Sequence, residues 1–294
     1  MMKKRKDDPG GKRKRFGVVE AGILLLFLVG LGILTYPVIS DQWNRYRNSR
    51  LIDTYSRKIE AQPRRVLEDS WQEAVEYNRQ HKQNVVYDVF EKDTEEYIKS
   101  HPYDELLDPL KNGVMGYLVI PKINLRLAIY HGTGKEALDQ GCGHIRGTSL
   151  PVGGKGSHTV LSAHRGLPSA KLFTDLDQMK KKDVFYIHTL DRVLAYQVDQ
   201  IQVVLPEETE ALKLQEKEDR ATLLTCTPYS INTHRLLVQG HRIPYKEPEK
   251  EEALSILHDR KLFLLAGGLG VFLLLAAGLG KRKKHRDSRK ETGS

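Results

Sequence analysis

Residues 222–229 read TLLTCTPY, an apolar run that ends at Cys226 and is followed at once by Thr227 and Pro228. The run predicts a β-strand that stops at the cysteine, because proline lacks the N–H needed in a central strand. A cysteine that only fills space is expected within a strand, whereas this thiol would lie at the rim of a sheet. The thiolate is the reactive form, and a nearby histidine or cation must favour it. Cys226 is therefore the candidate nucleophile.

A second strand end carries a histidine that could act on this thiol. His164 follows the apolar run 159–163 and is itself followed by Arg165 and a glycine. His158 opens the same run, about 20 Å from His164 in an extended strand, and is the weaker candidate. A surface or core histidine remains the alternative reading of His164.

Arg235 opens the apolar run 236–243, which follows the cysteine strand after a short loop. Antiparallel pairing of the two strands would bring Arg235 beside Cys226. An arginine there can hold a substrate carbonyl or stabilise an oxyanion while it keeps its own charge. An ordinary surface arginine at a strand start is the alternative.

These three positions together resemble the sortase family. The match consists of the TLLTC run, the upstream His164 and Arg235 nine residues after Cys226, and it covers about residues 108–245. The C-terminal apolar run described below is also similar to the class C, pilus-building branch of the family. Two further segments resemble the same branch: GTSLP at 147–151 and SAHRG at 162–166.

The resemblance implies an eight-stranded β-barrel and a cysteine transpeptidase. Such an enzyme cuts an LPxTG-like sorting signal between Thr and Gly and holds the acyl group as a thioester on Cys226. The amine of a pilin lysine then resolves the thioester. His164 would protonate the leaving amine and later deprotonate the incoming one, and Arg235 would position the substrate and stabilise the oxyanion. No cofactor or metal is required, and the sequence contains no metal-ligand cluster or phosphate-binding glycine loop.

The resemblance also implies a lid over the active site, formed by an Asp-Pro-aromatic motif. Asp108 and Pro109 stand ahead of the first predicted barrel strand, with Leu110 in place of the aromatic residue. Pro109 fixes φ and has no N–H, which favours a short rigid loop. We expect this lid to be a gate that opens for substrate, with Asp108 facing Arg235 or Cys226.

Three other functions share part of this pattern. A housekeeping sortase would pass surface proteins to a cell-wall precursor, and a hydrolytic cysteine protease would use water in place of the amine. A surface protein that is itself a sortase substrate would need LPxTG just before a C-terminal apolar run. Residues 251–261 contain no such motif, and the related LPVGG at 150–154 lies within the predicted barrel.

Two apolar runs near the chain ends predict a membrane protein. Residues 17–39 and 262–280 are each close to the roughly 20 residues that span a bilayer. Basic tails at 1–16 and 281–294 flank them on the outer sequence side, so the positive-inside rule places both tails in the cytoplasm and 40–260 outside. The first run could be a cleaved signal peptide, but it ends in no small-x-small cleavage site. The second could be a buried core helix.

The net charge of +9 does not indicate nucleic-acid binding. The two tails carry a net charge of +6 and +5, whereas residues 40–260 carry a net of −2. A near-neutral body offers no basic stripe that could follow a phosphate backbone. The basic residues are therefore attributed to membrane topology.

The sequence pattern divides the segment outside the membrane into four parts. Residues 40–107 are predicted to be helical with a break at Pro63, 108–115 to form the lid, 116–246 the catalytic barrel, and 247–261 a tether. A helix is predicted at 169–179. The predicted strands are 117–120, 125–129, 159–163, 184–189, 194–205, 221–225 and 236–243.

Cys142 is the only other cysteine and lies between two glycines, outside these motifs. We expect a small buried side chain there. A disulfide between Cys142 and Cys226 would inactivate the enzyme.

Overall fold

The computed structural model describes residues 18–80, 103–215 and 217–246 of the 294-residue chain. Within these ranges a closed barrel of eight strands forms the body, and two helices from the N-terminal region pack outside it. The predicted mostly-β barrel with N-terminal helices is therefore confirmed. The predicted tether and second span, at 247–261 and 262–280, lie outside the described residues.

The strands are short and follow the predicted runs closely, with one addition at residues 142–144. Around the barrel they are ordered β1-β2-β3-β4-β7-β8-β6-β5. The β2–β3 and β4–β7 pairs are parallel, and the other pairs are antiparallel. The strands are β1 (Val114–Ile120), β2 (Leu125–His131), β3 (Cys142–His144), β4 (Ser157–Ser162), β5 (Val184–Thr189), β6 (Arg192–Val204), β7 (Asp219–Thr227) and β8 (His234–Ile243).

In the part of the chain that the structure describes, three α-helices accompany the barrel: α1 (Val18–Glu60), α2 (Arg64–Gln80) and α3 (Lys135–Gln140). The break between α1 and α2 falls at Pro63 as predicted, because proline suits a helix start and not a helix interior. The helix predicted at 169–179 is a 3-10 helix over Leu172–Gln178.

Strand β7 carries apolar residues on both faces because both faces are covered. Leu223 is fully buried in the main core, whereas Leu224 packs in a second cluster outside the barrel wall. Val160, Leu212 and Leu237 belong to that second cluster. The TLLTC run therefore shows no alternation of polar and apolar residues, as expected for a strand buried on both sides.

The barrel has two distinguishable ends, and α1 runs from one to the other. The Cys226 end is where β4 and β7 finish, and the far end is where the β5–β6 turn lies. At the Cys226 end, Asn44 of α1 donates to the carbonyl of Ser169 at 2.6 Å. At the far end, the Tyr55 hydroxyl donates to the carbonyl of Met115 and accepts from the N–H of Leu190, at 3.2 and 3.1 Å. The N-terminal half of α1 therefore extends beyond the Cys226 end.

Candidate active site

The β7–β8 pair brings Cys226 and Arg235 together. The register makes them direct cross-strand partners, near the last residue of β7 and the first of β8. Cys226 is 9% exposed and Arg235 is 8% exposed. The Arg235 guanidinium donates to the carbonyls of Asn232 and His234 at 3.2 and 3.3 Å, which holds its charge at the rim of the barrel.

The parallel β4–β7 pair brings His164 to the same end. Ser162 lies beside Leu224, so His164 and Cys226, each two positions further along the chain, lie at the same level at the end of the barrel. Two hydrogen bonds continue the pairing past the end of β4. The N–H of Ala163 donates to the carbonyl of Leu224 at 3.2 Å, and the Thr225 hydroxyl donates to the carbonyl of Ala163 at 2.8 Å.

The His164 imidazole is half-buried, and this sets its protonation. Loss of solvent lowers its pKa below the usual histidine value, a nearby carboxylate at Asp139 works against that shift, and Lys135 adds to it. Lys135 and Asp139 form an ion pair on α3, so their opposing effects partly cancel. A neutral imidazole that can take and return a proton is therefore favoured at neutral pH.

Arg165 is a positioning candidate that the sequence reasoning did not single out. Its side chain is 8% exposed and forms an ion pair with Asp177 of the 3-10 helix. It also donates to the Thr227 hydroxyl at 3.1 Å, and so ties the residue after His164 to the residue after Cys226. No local pattern in the sequence indicates this role, because Thr227 and Asp177 belong to other elements of the fold.

The remaining candidates do not join this cluster. Cys142 is fully buried, its thiol donates to the carbonyl of Ala128 at 3.4 Å, and burial raises its pKa far above the usual range. Both cysteines are free thiols. His158 accepts from the Thr222 hydroxyl at 2.7 Å deep in the barrel wall, and burial lowers its pKa to about 4. Among the described residues, no group of three ligand side chains is placed to hold a metal ion.

The predicted lid residues lie at the far end of the barrel. Both oxygens of Asp108 accept backbone N–H groups of its own loop, from Asn112 at 3.0 Å and Gly113 at 2.7 Å. This loop enters β1, which begins beside the β5–β6 turn, since Gly116 pairs with Thr189.

The length of β1 separates this loop from the thiol. The strand has seven residues, which extend roughly 20 Å. Its last residue, Ile120, leads into residues 121–123, which contact the 3-10 helix that follows His164 at the Cys226 end. Leu110 packs against the barrel core. The interpretation of Asp108, Pro109 and Leu110 as a lid over Cys226 is therefore corrected.

Comparison with known proteins agrees with this geometry. The sortase domain model matches residues 118–243. The structure of Streptococcus pneumoniae sortase C is 45% identical, with a TM-score of 0.63, over 68% of this chain and 99% of that one. Streptococcus agalactiae sortase C1 is 43% identical, with a TM-score of 0.59, over 66% and 94%. Listeria monocytogenes sortase A is 29% identical over 52% of this chain and 64% of its own length.

The fold, the cysteine at its rim and these similarities define the class. The chain belongs to the sortase family of cysteine transpeptidases, and the solved structures that it resembles include several class C sortases. It spans between 52% and 64% of the length of the curated relatives that it matches.

Proposed function

We propose that this protein is a class C sortase. It cuts LPxTG-like sorting signals between Thr and Gly and joins the acyl group to a pilin lysine. The observation that carries the proposal is the arrangement at the Cys226 end, where two strand pairings gather Cys226, His164 and Arg235 at the barrel rim. The identity of 40–45% with several class C structures supports the choice of branch. The pneumococcal structure was described for its pilin substrate specificity.

Each residue has a role that follows from its surroundings. His164 takes the proton of the Cys226 thiol, and the thiolate attacks the threonine carbonyl. The Arg235 guanidinium, which no accessible pH neutralises, stabilises the resulting oxyanion. His164 in its protonated form gives a proton to the departing glycine amine, and the thioester forms as the C–N bond breaks. The neutral imidazole then takes a proton from the lysine amine as that amine attacks the thioester. The acyl group is then bonded to the lysine nitrogen, the Cys226 thiolate is regenerated, and no water is consumed.

The anchoring part of the proposal rests on α1. This helix contains a window long and apolar enough to cross a membrane. With residues 17–39 as a signal anchor and 262–280 as a second span, the barrel lies outside the cell and both tails lie inside. Protease added to intact protoplasts should then digest residues 40–260 and spare both tails. Cleavage of the C-terminal tail from outside would refute the two-span topology.

The activity is tested with the purified full chain in detergent, a pilin with an LPxTG-like signal, and a denaturing gel. The wild-type protein should give a covalent ladder and a hydroxylamine-sensitive adduct, and Cys226→Ala should give neither. Cys142→Ala is the matched control, because it removes the other thiol, and it should retain the ladder. A ladder from Cys226→Ala, or its loss in Cys142→Ala only, would mean that the wrong thiol has been assigned.

The same assay separates the alternatives by their acceptor. A housekeeping sortase would transfer the acyl group to a cell-wall precursor amine and form no ladder, and the likeness to sortase A of three species keeps this possibility in the test. A hydrolytic protease would release free acid at the same rate with and without an amine. A rate that rises with the pilin lysine distinguishes the class C reaction from both.

A further inference from the structure

Helix α1 fixes how the barrel sits relative to its apolar N-terminal segment. It runs from Val18 to Glu60 with Pro37 in its interior, so the segment predicted to span the membrane leads directly into the segment packed on the barrel. Residues 18–39 extend about 33 Å at 1.5 Å per residue, close to the thickness of a hydrocarbon core. The next residues, Ser40 and Asn44, bond to the carbonyl of Ser169 at 2.9 and 2.6 Å. The barrel end that meets the apolar segment is therefore the Cys226 end.

An exposed aromatic face of α1 lies at this junction. Trp43 is 60% exposed and Tyr46 is 44% exposed, with their ring centroids 5.9 Å apart. Arg50 lies on the same face, with its guanidinium 5.5 Å from the Tyr46 ring centroid. This face points away from the barrel, because Asn48 and Ile52 point toward it. Tryptophan, tyrosine and arginine in this order suit the headgroup region of a bilayer.

The β7–β8 loop presents apolar side chains at the same end of the barrel. Tyr229 is 54% exposed and Ile231 is 66% exposed. Two backbone bonds to the carbonyl of Pro228, from Ile231 and Asn232, hold the loop in a turn that presents both side chains to the outside. The Tyr229 ring packs against Gly166, where a Cβ would come within 3.2 Å of it. The loop therefore lies next to the segment that α1 holds.

The exposed apolar side chains are distributed unevenly over the described barrel. Outside α1 and α2, six large apolar residues are exposed, and five of these belong to the second half of β6, the residue after it, or the β7–β8 loop. Single exposed apolar residues need no explanation, but a cluster around one end indicates a contact surface. The five are Ile201, Val203, Leu205, Tyr229 and Ile231.

We propose that the Cys226 end of the barrel rests on the outer surface of the bilayer. The Tyr229–Ile231 tip and the Trp43 face of α1 lie in the lipid headgroup region. The nucleophile then faces the membrane, so a sorting signal reaches Cys226 while the substrate's own apolar segment is still in the bilayer. This inference rests on the anchoring part of the proposed function.

Lipid is the occupant that the structure favours over a protein partner. The exposed face of α1 continues without interruption from the apolar residues 22–39, so any bilayer that contains those residues also reaches Trp43. The bonds of Ser40 and Asn44 to Ser169 lie beyond Pro37 and hold the Cys226 end of the barrel next to this face. Arg47 and Arg50, both exposed, add attraction to anionic headgroups.

Tryptophan fluorescence in vesicles tests this orientation with the full chain. The chain has two tryptophans, Trp43 and Trp71. Replacing both with phenylalanine gives a background into which Ile231→Trp is introduced as the reporter. Val66→Trp in the same background is the control, because Val66 is an exposed residue of α2 near Glu68, which pairs with Arg192 at the far end. Each protein is reconstituted into phosphatidylcholine–phosphatidylglycerol vesicles with lipids brominated near the headgroup or near the chain end.

The proposal requires that headgroup-proximal bromines remove most of the emission from Ile231→Trp and from native Trp43 (with Trp71→Phe), and little from Val66→Trp. If brominated lipid quenches Trp43 but not Ile231→Trp, the result supports the anchor and overturns the proposed contact of the barrel end with the bilayer. Protection of Ile231→Trp by a soluble sorting-signal peptide, with no effect of brominated lipid, would assign the patch to substrate and also overturn it. No quenching at Trp43 would refute the anchoring itself. The covalent ladder, measured on the same samples, reports separately on transpeptidation.

Discussion

Arg165 offers the sharpest test of how the active site is held in place. Its buried guanidinium joins the 3-10 helix at Asp177 to the strand end at Thr227, the residue next to Cys226. We predict that Arg165→Met lowers both the stability of the fold and the rate of thioester formation. Methionine keeps most of the apolar stem and removes both polar contacts, so packing changes little.

The size of the effect follows from the exposure of the partners. Asp177 is 50% exposed and regains water when it loses its partner, so the ion pair contributes no more than about 1 kcal/mol. The charge-assisted bond to Thr227 is shielded from solvent and contributes about 1.5–3 kcal/mol. The free energy of unfolding should therefore fall by about 2–3 kcal/mol. A shift of the thiol by an ångström can lower the rate by roughly a hundredfold.

The assays are urea unfolding of the full chain in detergent and burst kinetics of the thioester with a sorting-signal peptide. Arg79→Met is the matched control, since Arg79 pairs with Glu76 at 2.5 Å on the exposed face of α2, where its side chain is 70% exposed. It should leave the free energy of unfolding nearly unchanged, because both charges of this pair are exposed to water. Arg165→Lys should recover part of the rate, because one ammonium can reach either Thr227 or Asp177.

A structural brace that also positions the thiol should lower kcat and leave KM nearly unchanged. If Arg165→Met loses stability but keeps the wild-type kcat under conditions where it is fully folded, the residue has no positioning role. If it behaves like Arg79→Met in both assays, the reasoning from burial is refuted.

Three further outcomes are expected. Burial lowers the pKa values of His144 and His158 to about 4 in the folded protein, against about 6.5 when unfolded. Stability should be complete above pH 6.5 and fall as the pH drops toward 4, by about 3 kcal/mol for each histidine, and urea titrations of His144→Gln should show a shallower fall. Asp108→Ala should leave the alkylation rate of Cys226 unchanged and lower the free energy of unfolding by about 1 kcal/mol, and faster alkylation would restore the lid. Cys142 should resist alkylation until the protein unfolds, and labelling at the rate of Cys226 would contradict its burial.

Much of the fold could be predicted because the apolar runs in the sequence correspond to strands, and the Gly and Pro residues between them correspond to turns. Seven strands and the helix break at Pro63 follow from local pattern alone. Strand β3 was missed because three residues centred on Gly143 carry no β-forming side chains. The strand exists because of a close backbone approach, in which a Cβ at Gly143 would lie 2.2 Å from the carbonyl of Gly132. That constraint is tertiary, so no local pattern reveals it.

The cluster at the Cys226 end could be predicted because it depends on strand ends. A residue at the end of an apolar run lies at the edge of the barrel, so Cys226 and His164 were identifiable without coordinates. The antiparallel neighbour of Cys226 follows from the short loop before β8. The parallel β4–β7 pairing could not be derived, since more than 50 residues separate the two strands. Arg165 was missed for the same reason, because both of its partners come from other elements.

The lid residues show what adjacency in sequence does not establish. Asp108 and Pro109 precede the barrel, and it is natural to expect them near its active end. However, β1 is four strands away from β7 in either direction around the closed barrel, on the opposite wall. It also starts at the far end, because it pairs antiparallel with β2, which is parallel to β3, while β3 is antiparallel to β4. These three pairings set the direction of β1, and that direction places the Asp-Pro loop at the end of the barrel away from the thiol. The residues of the loop itself do not determine this position.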